Sequence, residues 1–460
     1  MQQAQAEQAE QGAPLPVLLT LVTEPAISAL TPTEKGVPRA QVWAWALWDW
    51  ASSGFVAVVT TFVFSVYLTS EAFGKEDALA GQVAFAAAIA GFAIAVLAPL
   101  LGSRSDNTGH RKRWLFITTA ILVVITTSLF FIEPAPEYFL PGLLLFTVAS
   151  VIFELAQVNY NAMLTQVSTP KTVGRVSGFG WALGYFGSIA LLLLLLVAFI
   201  QPEVGLFGVT SEQALNIRAS MLATAAWFAL FALPIFVKVP EVKPLKQAGS
   251  RSIWAGYPEL WQSIKRLWHE NRSAVWFLLA SAVYRDGLSG AFTLGGIIAA
   301  RSFGLGFTSI LLFAIVGNLI AGVITVISGR LDDLFGAKPV IIFSLALATL
   351  AGLAMFFFQE LGQSVFWAAG LTIAAFVGPI QAASRSLLLR LAPEASPGTL
   401  FGLYATTGRI TSFLSQLLFG IAVAATGATI FGVFGIAIVL FAGLLLLIPV
   451  KVHRAKGQVV

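Results

Sequence analysis

From Ala190 to Ile200 the chain reads ALLLLLLVAFI, without one polar side chain. A water-soluble helix keeps a polar face, and this run leaves none. It is part of a longer apolar stretch, and that stretch is one of a set. A helix that crosses the hydrocarbon core of a bilayer needs about 20 predominantly apolar residues. The chain offers twelve such stretches: 42–69, 79–101, 114–132, 139–165, 176–199, 219–237, 273–299, 308–328, 339–358, 365–389, 400–425 and 430–450. In hydrocarbon each backbone N–H and C=O must be satisfied within its own segment, and a helix does this. The expected fold class is an all-α membrane protein with twelve transmembrane helices. Composition agrees: 57% of the 460 residues are apolar and 11% charged, where a soluble domain carries about 25% charged residues.

The charges are distributed unevenly between the connecting segments. An even number of spans puts both ends on one side. Segments on that side hold 21 of the 27 Lys and Arg residues, and the other side holds Lys75, Arg218 and Arg301. Basic loops stay in the cytoplasm, so a cell-membrane protein with both termini cytoplasmic is expected. Residues 1–41 are Gln- and Glu-rich at their start and lack the basic beginning of a secretory signal. They read as a disordered tail. Its apolar patch is broken by Pro16, Glu24 and Pro25 and is not counted as a span. Residues 451–460 read as a second cytoplasmic tail.

A long connection, 238–272, divides the spans into two sixes, 42–237 and 273–450. Its YPELWQSIKRLWHE segment sets Tyr257, Leu260, Trp261, Ile264, Leu267 and Trp268 at helical spacing, with Pro258 suited to a first helical position. An amphipathic helix on the inner leaflet follows, its indoles as anchors and Lys265 and Arg266 at headgroup level.

Several chemistries are excluded. There is no cysteine, and His110, His269 and His453 fall in polar connections without ligand-like spacing. No nucleophile–base set or metal-ligand set lies in the spans, and no phosphate-binding loop follows a strand. No catalytic residue, metal or cofactor is expected. The expected partners are a small-molecule solute and membrane lipid, with no nucleic acid, and the chain is expected to be monomeric.

The two sixes echo one another. GSRSDNTGHRKRW follows span two and GRLDDLFGAKP follows span eight. Gly102, Asp106 and Gly109 in the first match Gly329, Asp333 and Gly336 in the second, 227 residues on. Gly178 and Gly184 at the start of span five are matched by Gly402 and Gly408 at the start of span eleven, 224 residues on. Such repeats predict two pseudo-symmetric six-helix halves. The loop glycines permit a tight turn. Asp106 and Asp333 can accept hydrogen bonds at a neighbouring helix N-terminus, where the macrodipole favours an anion. A contact of that kind can form and break as halves rock, which makes the loop a gate candidate.

A loop of the pattern Gly-x-x-x-Asp-x-x-Gly-x-Arg-Lys, completed here by Arg111 and Lys112, resembles the signature loop of the major facilitator superfamily. WDWASS in span one, YNAMLTQV ending span four and RVSGFGWALGYFGS opening span five narrow the resemblance to one branch. So do YRDG in span seven, QAASRSLLLRLAP in span ten and FGLYATTGRITSFL in span eleven. That branch holds the autophagy-linked vacuolar amino-acid effluxer and its bacterial relatives. Ser52 departs from the branch, which usually has Asn after DWA. The resemblance implies a secondary transporter that rocks its halves about a cavity lined by spans one, four, seven and ten.

Six ionisable residues lie inside spans: Asp49, Glu154, Arg285, Asp286, Arg385 and Arg409. Each costs at least about 2.5–3.5 kcal/mol at mid-membrane unless paired or hydrated. Five of them fall on the four spans that the resemblance assigns to the cavity. Glu154, Arg285 and Asp286 sit near the centres of their spans, whereas Asp49, Arg385 and Arg409 lie nearer the basic ends. Arg385 reads either as a path residue or as an anchor snorkelling to the surface. Neighbours on a helix point about 100° apart, so Arg285 and Asp286 each need another partner. A Glu154–Arg285 pair across the halves is expected, with Asp286 turned to the cavity for substrate or proton. Asp49, Asp286 or Glu154 can carry a proton if an arginine partner comes and goes. The alternative is that these charges only hold helices together.

Span four adds Gln157, Asn159, Tyr160 and Asn161, and span ten adds Gln381, Ser384 and Ser386. Amides in hydrocarbon need partners, and a wet cavity supplies them. They suit a zwitterion, with Arg285 or Arg385 taking its carboxylate. Trp48, Trp50, Tyr160 and Tyr284 can act as stacking walls or as core. The expected path comprises Asp49, Glu154, Asn159, Tyr160, Asn161, Arg285, Asp286, Gln381 and Arg385. The expected gate comprises the two loop motifs, Arg111, Lys112 and Arg409. The expected function is transport of a small polar solute, an amino acid or similar metabolite, by alternating access with possible proton coupling. Efflux of amphipathic compounds and a non-transporting receptor or scaffold are the alternatives.

Overall fold

The computed structural model describes residues 36–241, 256–393 and 395–452. The expected tail over 1–35, and residues 453–460 of the second tail, lie outside the described residues. Among the described residues eleven helices are long and apolar enough to cross a membrane. Span one is Arg39–Leu68, two Gly81–Thr108, three Arg111–Phe131, four Pro136–Val167, five Val173–Ile200 and six Glu212–Lys238. Span eight is Leu312–Phe335, nine Ala337–Phe357, ten Gln363–Leu391, eleven Pro397–Thr426 and twelve Ile430–Leu447. Span seven is the helix Arg272–Phe303. At 32 residues it has ample length, but Arg285 and Asp286 lower its apolarity below that of the other eleven. The fold is all-α and multi-span, as expected.

Burial separates two cores. One draws on residues from Ala44 to Val239, with Trp45, Trp48, Phe55, Tyr160 and Phe228 out of contact with solvent. The other runs from Ala274 to Val450 and takes in Ile94, Ala98, Leu155, Val158 and Ala162 of spans two and four. That sharing marks where the halves meet. Lipid tails are as apolar as leucine, so fit and small residues hold these helices together. A Cβ built on Gly178 would lie 2.8 Å from the carbonyl oxygen of Thr325, and one on Gly402 2.6 Å from Cα of Pro99. Spans five and eight, and spans eleven and two, therefore touch backbone to backbone. Gly184 backs onto Ser53 of span one, and Gly408 onto the Arg285 guanidinium of span seven. Positions 224 apart thus meet equivalent spans in each half. Gly180 and Gly187 complete the span five face, against Trp45 and Trp50.

The loop motifs form the turns expected of them. Gly109 closes the turn from span two to three at φ +68, and Gly336 that from eight to nine at φ +93. Any other residue would be strained there.

Span eleven has two parts, a helix Pro397–Thr411 and a second one Leu414–Thr426. Pro397 occupies a first-turn position and starts the span earlier than its apolar pattern indicated.

The connection forms a helix, Gly256–Glu270. Ile264 and Leu267 pack against the C-terminal core, while Trp261 and Trp268 stay exposed. The single apolar stripe therefore divides, its centre on the bundle and its indoles free for a lipid interface.

Candidate functional site

Asp106 ends span two with its side chain out of solvent. Arg111 donates to it through Nε at 2.8 Å. So do the backbone N–H groups of Gly398 at 3.1 Å and Thr399 at 2.9 Å, in the first turn of span eleven. A carboxylate there meets unpaired donors and the positive end of the helix dipole. The approach is close: a Cβ on Gly102 would lie 2.6 Å from the carbonyl carbon of Gly398.

Asp333 repeats the arrangement with the halves exchanged. It accepts from the N–H groups of Gly174 at 2.8 Å and Arg175 at 3.1 Å, at the start of span five. Each half thus caps a helix of the other. A Cβ on Gly329 would stand 2.9 Å from Cα of Arg175.

The copies differ in their cations. Asp106 has Arg111 from its own motif. Asp333 shares Arg390 of span ten, 3.3 Å away, with its neighbour Asp332, which also bonds Ser386. Sequence reasoning passed over Asp332 and Arg390. The doubled Asp in GRLDDLFG was the available signal. Lys112 stays within its own half, donating to the Val239 carbonyl at 3.1 Å. It anchors the end of span six and does not cross the gate.

Asp49 and Arg385 form a second cross-half contact, with Arg385 Nη1 3.5 Å from Asp49 Oδ2. Tyr160 donates to that same oxygen at 3.1 Å. Arg385 also donates to the Ser177 hydroxyl at 3.1 Å, the Ser177 carbonyl at 2.8 Å and the Asn161 amide oxygen at 3.1 Å. Its guanidinium lies 4.8 Å from the Trp181 ring centroid. One arginine of span ten therefore ties down spans one, four and five. With 2% of its surface exposed, Arg385 is no surface anchor, because hydrogen-bond acceptors of the opposite half satisfy it where snorkelling would use water. Ser177, Trp45 and Trp181 belong to this node and were not foreseen. Trp45 stacks on Tyr160 at 4.6 Å.

Deeper in the membrane the expected Glu154–Arg285 pair is absent. Glu154 pairs with Arg409 instead. All three side chains share a depth. Glu154 lies thirteen residues before the end of span four at Val167, Arg409 twelve after Pro397, and Arg285 thirteen after Arg272. At 1.5 Å per residue each is about 20 Å from the basic face. Rotation of the helices then decides, and it turns Arg409 toward span four. Arg285 lies over the ring of Tyr404 at 3.8 Å and donates to the Tyr404 carbonyl at 2.9 Å.

Asp286 also corrects the expectation. It is 3% exposed and accepts from the Ser415 N–H at 2.6 Å, with the Ser415 hydroxyl donating back to its carbonyl at 3.1 Å. Rather than facing a cavity, it caps the second helix of span eleven where the chain breaks at Ser412–Phe413. A break in hydrocarbon frees backbone donors that need an acceptor, and Asp286 supplies one.

A sequence profile of the family described as "Vacuole effluxer Atg22 like" matches residues 69–173 and 165–460. The chain belongs to the Atg22-like family. This Atg22-like chain is 29% identical over 407 residues to the uncharacterized MFS-type transporter YxiO of Bacillus subtilis (strain 168), covering 88% of one chain and 93% of the other. It is 25% identical over 308 residues to autophagy-related protein 22 of Cryptococcus neoformans var. neoformans serotype D (strain B-3501A). That match covers 63% of this chain and 55% of the fungal one, so the chain spans about half the length of the fungal relative. In fold it is similar to the proton:xylose symporter XylE, with TM-score 0.67, 13% identity, and 91% and 94% of the two chains covered. FucP in the outward conformation gives TM-score 0.66 at 16% identity, with 89% and 97% covered. The Atg22-like chain thus shares the fold of these major facilitator superfamily transporters.

Within the Atg22-like scaffold the remaining candidates divide. Tyr160 and Asn161 belong to the Arg385 node. Asn159 is fully buried, donates to the Leu155 carbonyl at 3.4 Å and leaves its amide oxygen without a partner among the described residues. Gln381 is part-exposed and makes no side-chain hydrogen bond among the described residues. Trp48 is core, donating to Thr119 at 3.1 Å. Tyr284 meets Ser384 at 2.6 Å. Ser52, buried, donates to the Asp49 carbonyl at 3.4 Å.

Proposed function

We propose that this Atg22-like protein moves a small polar solute, an amino acid or similar metabolite, across the cell membrane by alternating access. The observation that carries the proposal is the set of contacts between halves near the basic face. Asp106 holds the start of span eleven, Asp333 the start of span five, and Arg385 joins Asp49. All three are polar and local, so rocking of the halves can break them together. Backbone contact at Gly102 and Gly329 lets the halves close without side chains between them. The basic face is assigned to the cytoplasm, with both termini inside. The structure is then the state closed toward the cytoplasm.

Proton coupling requires a carboxylate whose partner changes between states. Asp49 and Glu154 both qualify, because each is held by an arginine of the other half. Asp286 does not, since Ser415 lies in its own half and moves with it.

The test is solute counterflow into vesicles holding the purified full chain, with a panel of amino acids and small organic acids, with and without a pH gradient. Saturable exchange of at least one solute is expected. Exchange of none would sink the proposal.

A further inference from the structure

Four of the six ionisable residues inside the spans are paired with an opposite charge, Asp49 with Arg385 and Glu154 with Arg409. Asp286 accepts from the N–H of Ser415 on one oxygen, and its other oxygen is buried without a hydrogen-bond partner among the described residues. Arg285 is the cation without an opposite charge. Among the described residues no carboxylate comes within 4 Å of it, and its protein acceptor is the Tyr404 carbonyl. Arg285 is half-buried and lies about 20 Å below the basic face. A fixed cation at that depth is costly unless an anion or water meets it.

The surroundings hold this cation in place. The Tyr404 ring covers one face of the guanidinium at 3.8 Å. Span eleven backs it at Gly408, where a Cβ would lie 3.0 Å from Nη1. Only a residue without a side chain lets the guanidinium rest against that helix. The Tyr404 hydroxyl is out of solvent and has no partner among the described residues. Arg409 follows directly, with its side chain 34% exposed and that of Glu154 28% exposed. Two guanidiniums and one carboxylate, partly open, leave one positive charge over.

We infer that Arg285 is the docking cation for a carboxylate on the transported solute, and that the solute carries more carboxylate than cationic charge. This rests on the transport reading above. A planar guanidinium presents paired donors that match a carboxylate, and the Tyr404 hydroxyl can add a third bond. The ammonium of a neutral amino acid finds no free acid here. Glu154 is taken by Arg409, Asp286 is turned into the span eleven break, and the Tyr404 ring is covered by Arg285. A monocarboxylate or an acidic amino acid fits the charge left over.

The test measures ligand-induced thermal stabilisation of the purified full chain in detergent. The probes are acetate, lactate, glutamate, leucine, choline and chloride, at millimolar concentration and constant ionic strength. At least one of the three anionic carboxylates should stabilise the protein, and leucine should bind at least about tenfold more weakly. Arg285→Gln should abolish the effect while leaving the unliganded melting temperature unchanged or raised, since it removes an uncompensated cation. Arg285→Lys should keep part of the binding, and Tyr404→Phe should weaken it several-fold. The inference is overturned if no carboxylate stabilises the protein, if leucine, choline or chloride does so equally well, or if Arg285→Gln binds carboxylate normally. It is also overturned if Arg285→Gln does not fold and Arg285→Lys and Tyr404→Phe bind as the parent does. Vesicles that bind a carboxylate through Arg285 yet exchange nothing would remove the transport reading and leave Arg285 as a carboxylate-binding site only. Vesicles that exchange leucine equally well with and without Arg285 would do the reverse.

Discussion

Asp49 of span one and Arg385 of span ten lie 3.5 Å apart across the two halves, and neither side chain is more than 5% exposed. An ion pair so dry depends on both partners. Removing one leaves the other charged in hydrocarbon, at about 3 kcal/mol or more.

Asp49→Asn should therefore loosen the closed state. The chain has no cysteine, so one thiol placed at Ala382, whose carbonyl accepts from Ser177 at 2.7 Å, reports the span five–span ten seam. Maleimide labelling of Ala382→Cys from the basic side should be slow, and at least about tenfold faster with Asp49→Asn added. Equal rates would mean that the pair does not hold the seam.

Glu154 and Arg409 should behave as partners in a charge swap. Glu154→Gln and Arg409→Gln should each cut uptake by about tenfold, the size of one charge-assisted bond. Glu154→Arg combined with Arg409→Glu should recover part of it. The same exchange between Glu154 and Arg285 should recover nothing, and recovery there would overturn the observed pairing.

Gly102→Ala tests the gate by sterics alone. Its methyl group meets the Gly398 carbonyl, and overpacking of this kind costs about 1–3 kcal/mol. The closed state should lose population, with faster labelling at Ala382→Cys and slower uptake. Gly91→Ala, where a Cβ meets nothing within 4 Å, is the matched control.

Asp286 should act on stability and leave coupling alone. An amide oxygen still accepts from Ser415, and Asn caps a helix about as well as Asp, so Asp286→Asn should leave stability nearly unchanged. Asp286→Ala leaves a buried N–H unpaired and should cost about 1–3 kcal/mol. Thermal melts give the ranking, and hydrogen exchange should speed up in residues 414–426. A changed pH dependence of uptake in Asp286→Asn would return this residue to the proton path.

Asp106 and Asp333 were legible as helix caps because the reason is local: an acid after a span, flanked by glycines, suits a helix N-terminus. The spans were legible for a like reason, since lipid imposes one length and one composition on every crossing. Asp332 and Arg390 were missed because their bond joins spans eight and ten, and no spacing within one helix records it.

Depth in the membrane follows from position along a helix, and 1.5 Å per residue converts one into the other. The sequence alone therefore determined twelve crossings, the repeat, and the level at which Glu154 and Arg285 sit, whereas Arg409, read as nearer the basic face, joins that level because span eleven starts early at Pro397. It left open which way each side chain points around its helix axis. That angle is set by packing against helices far away in the chain. Only the tertiary structure turned Arg409 to Glu154, turned Asp286 into the break of span eleven, and left Arg285 without an anion among the described residues.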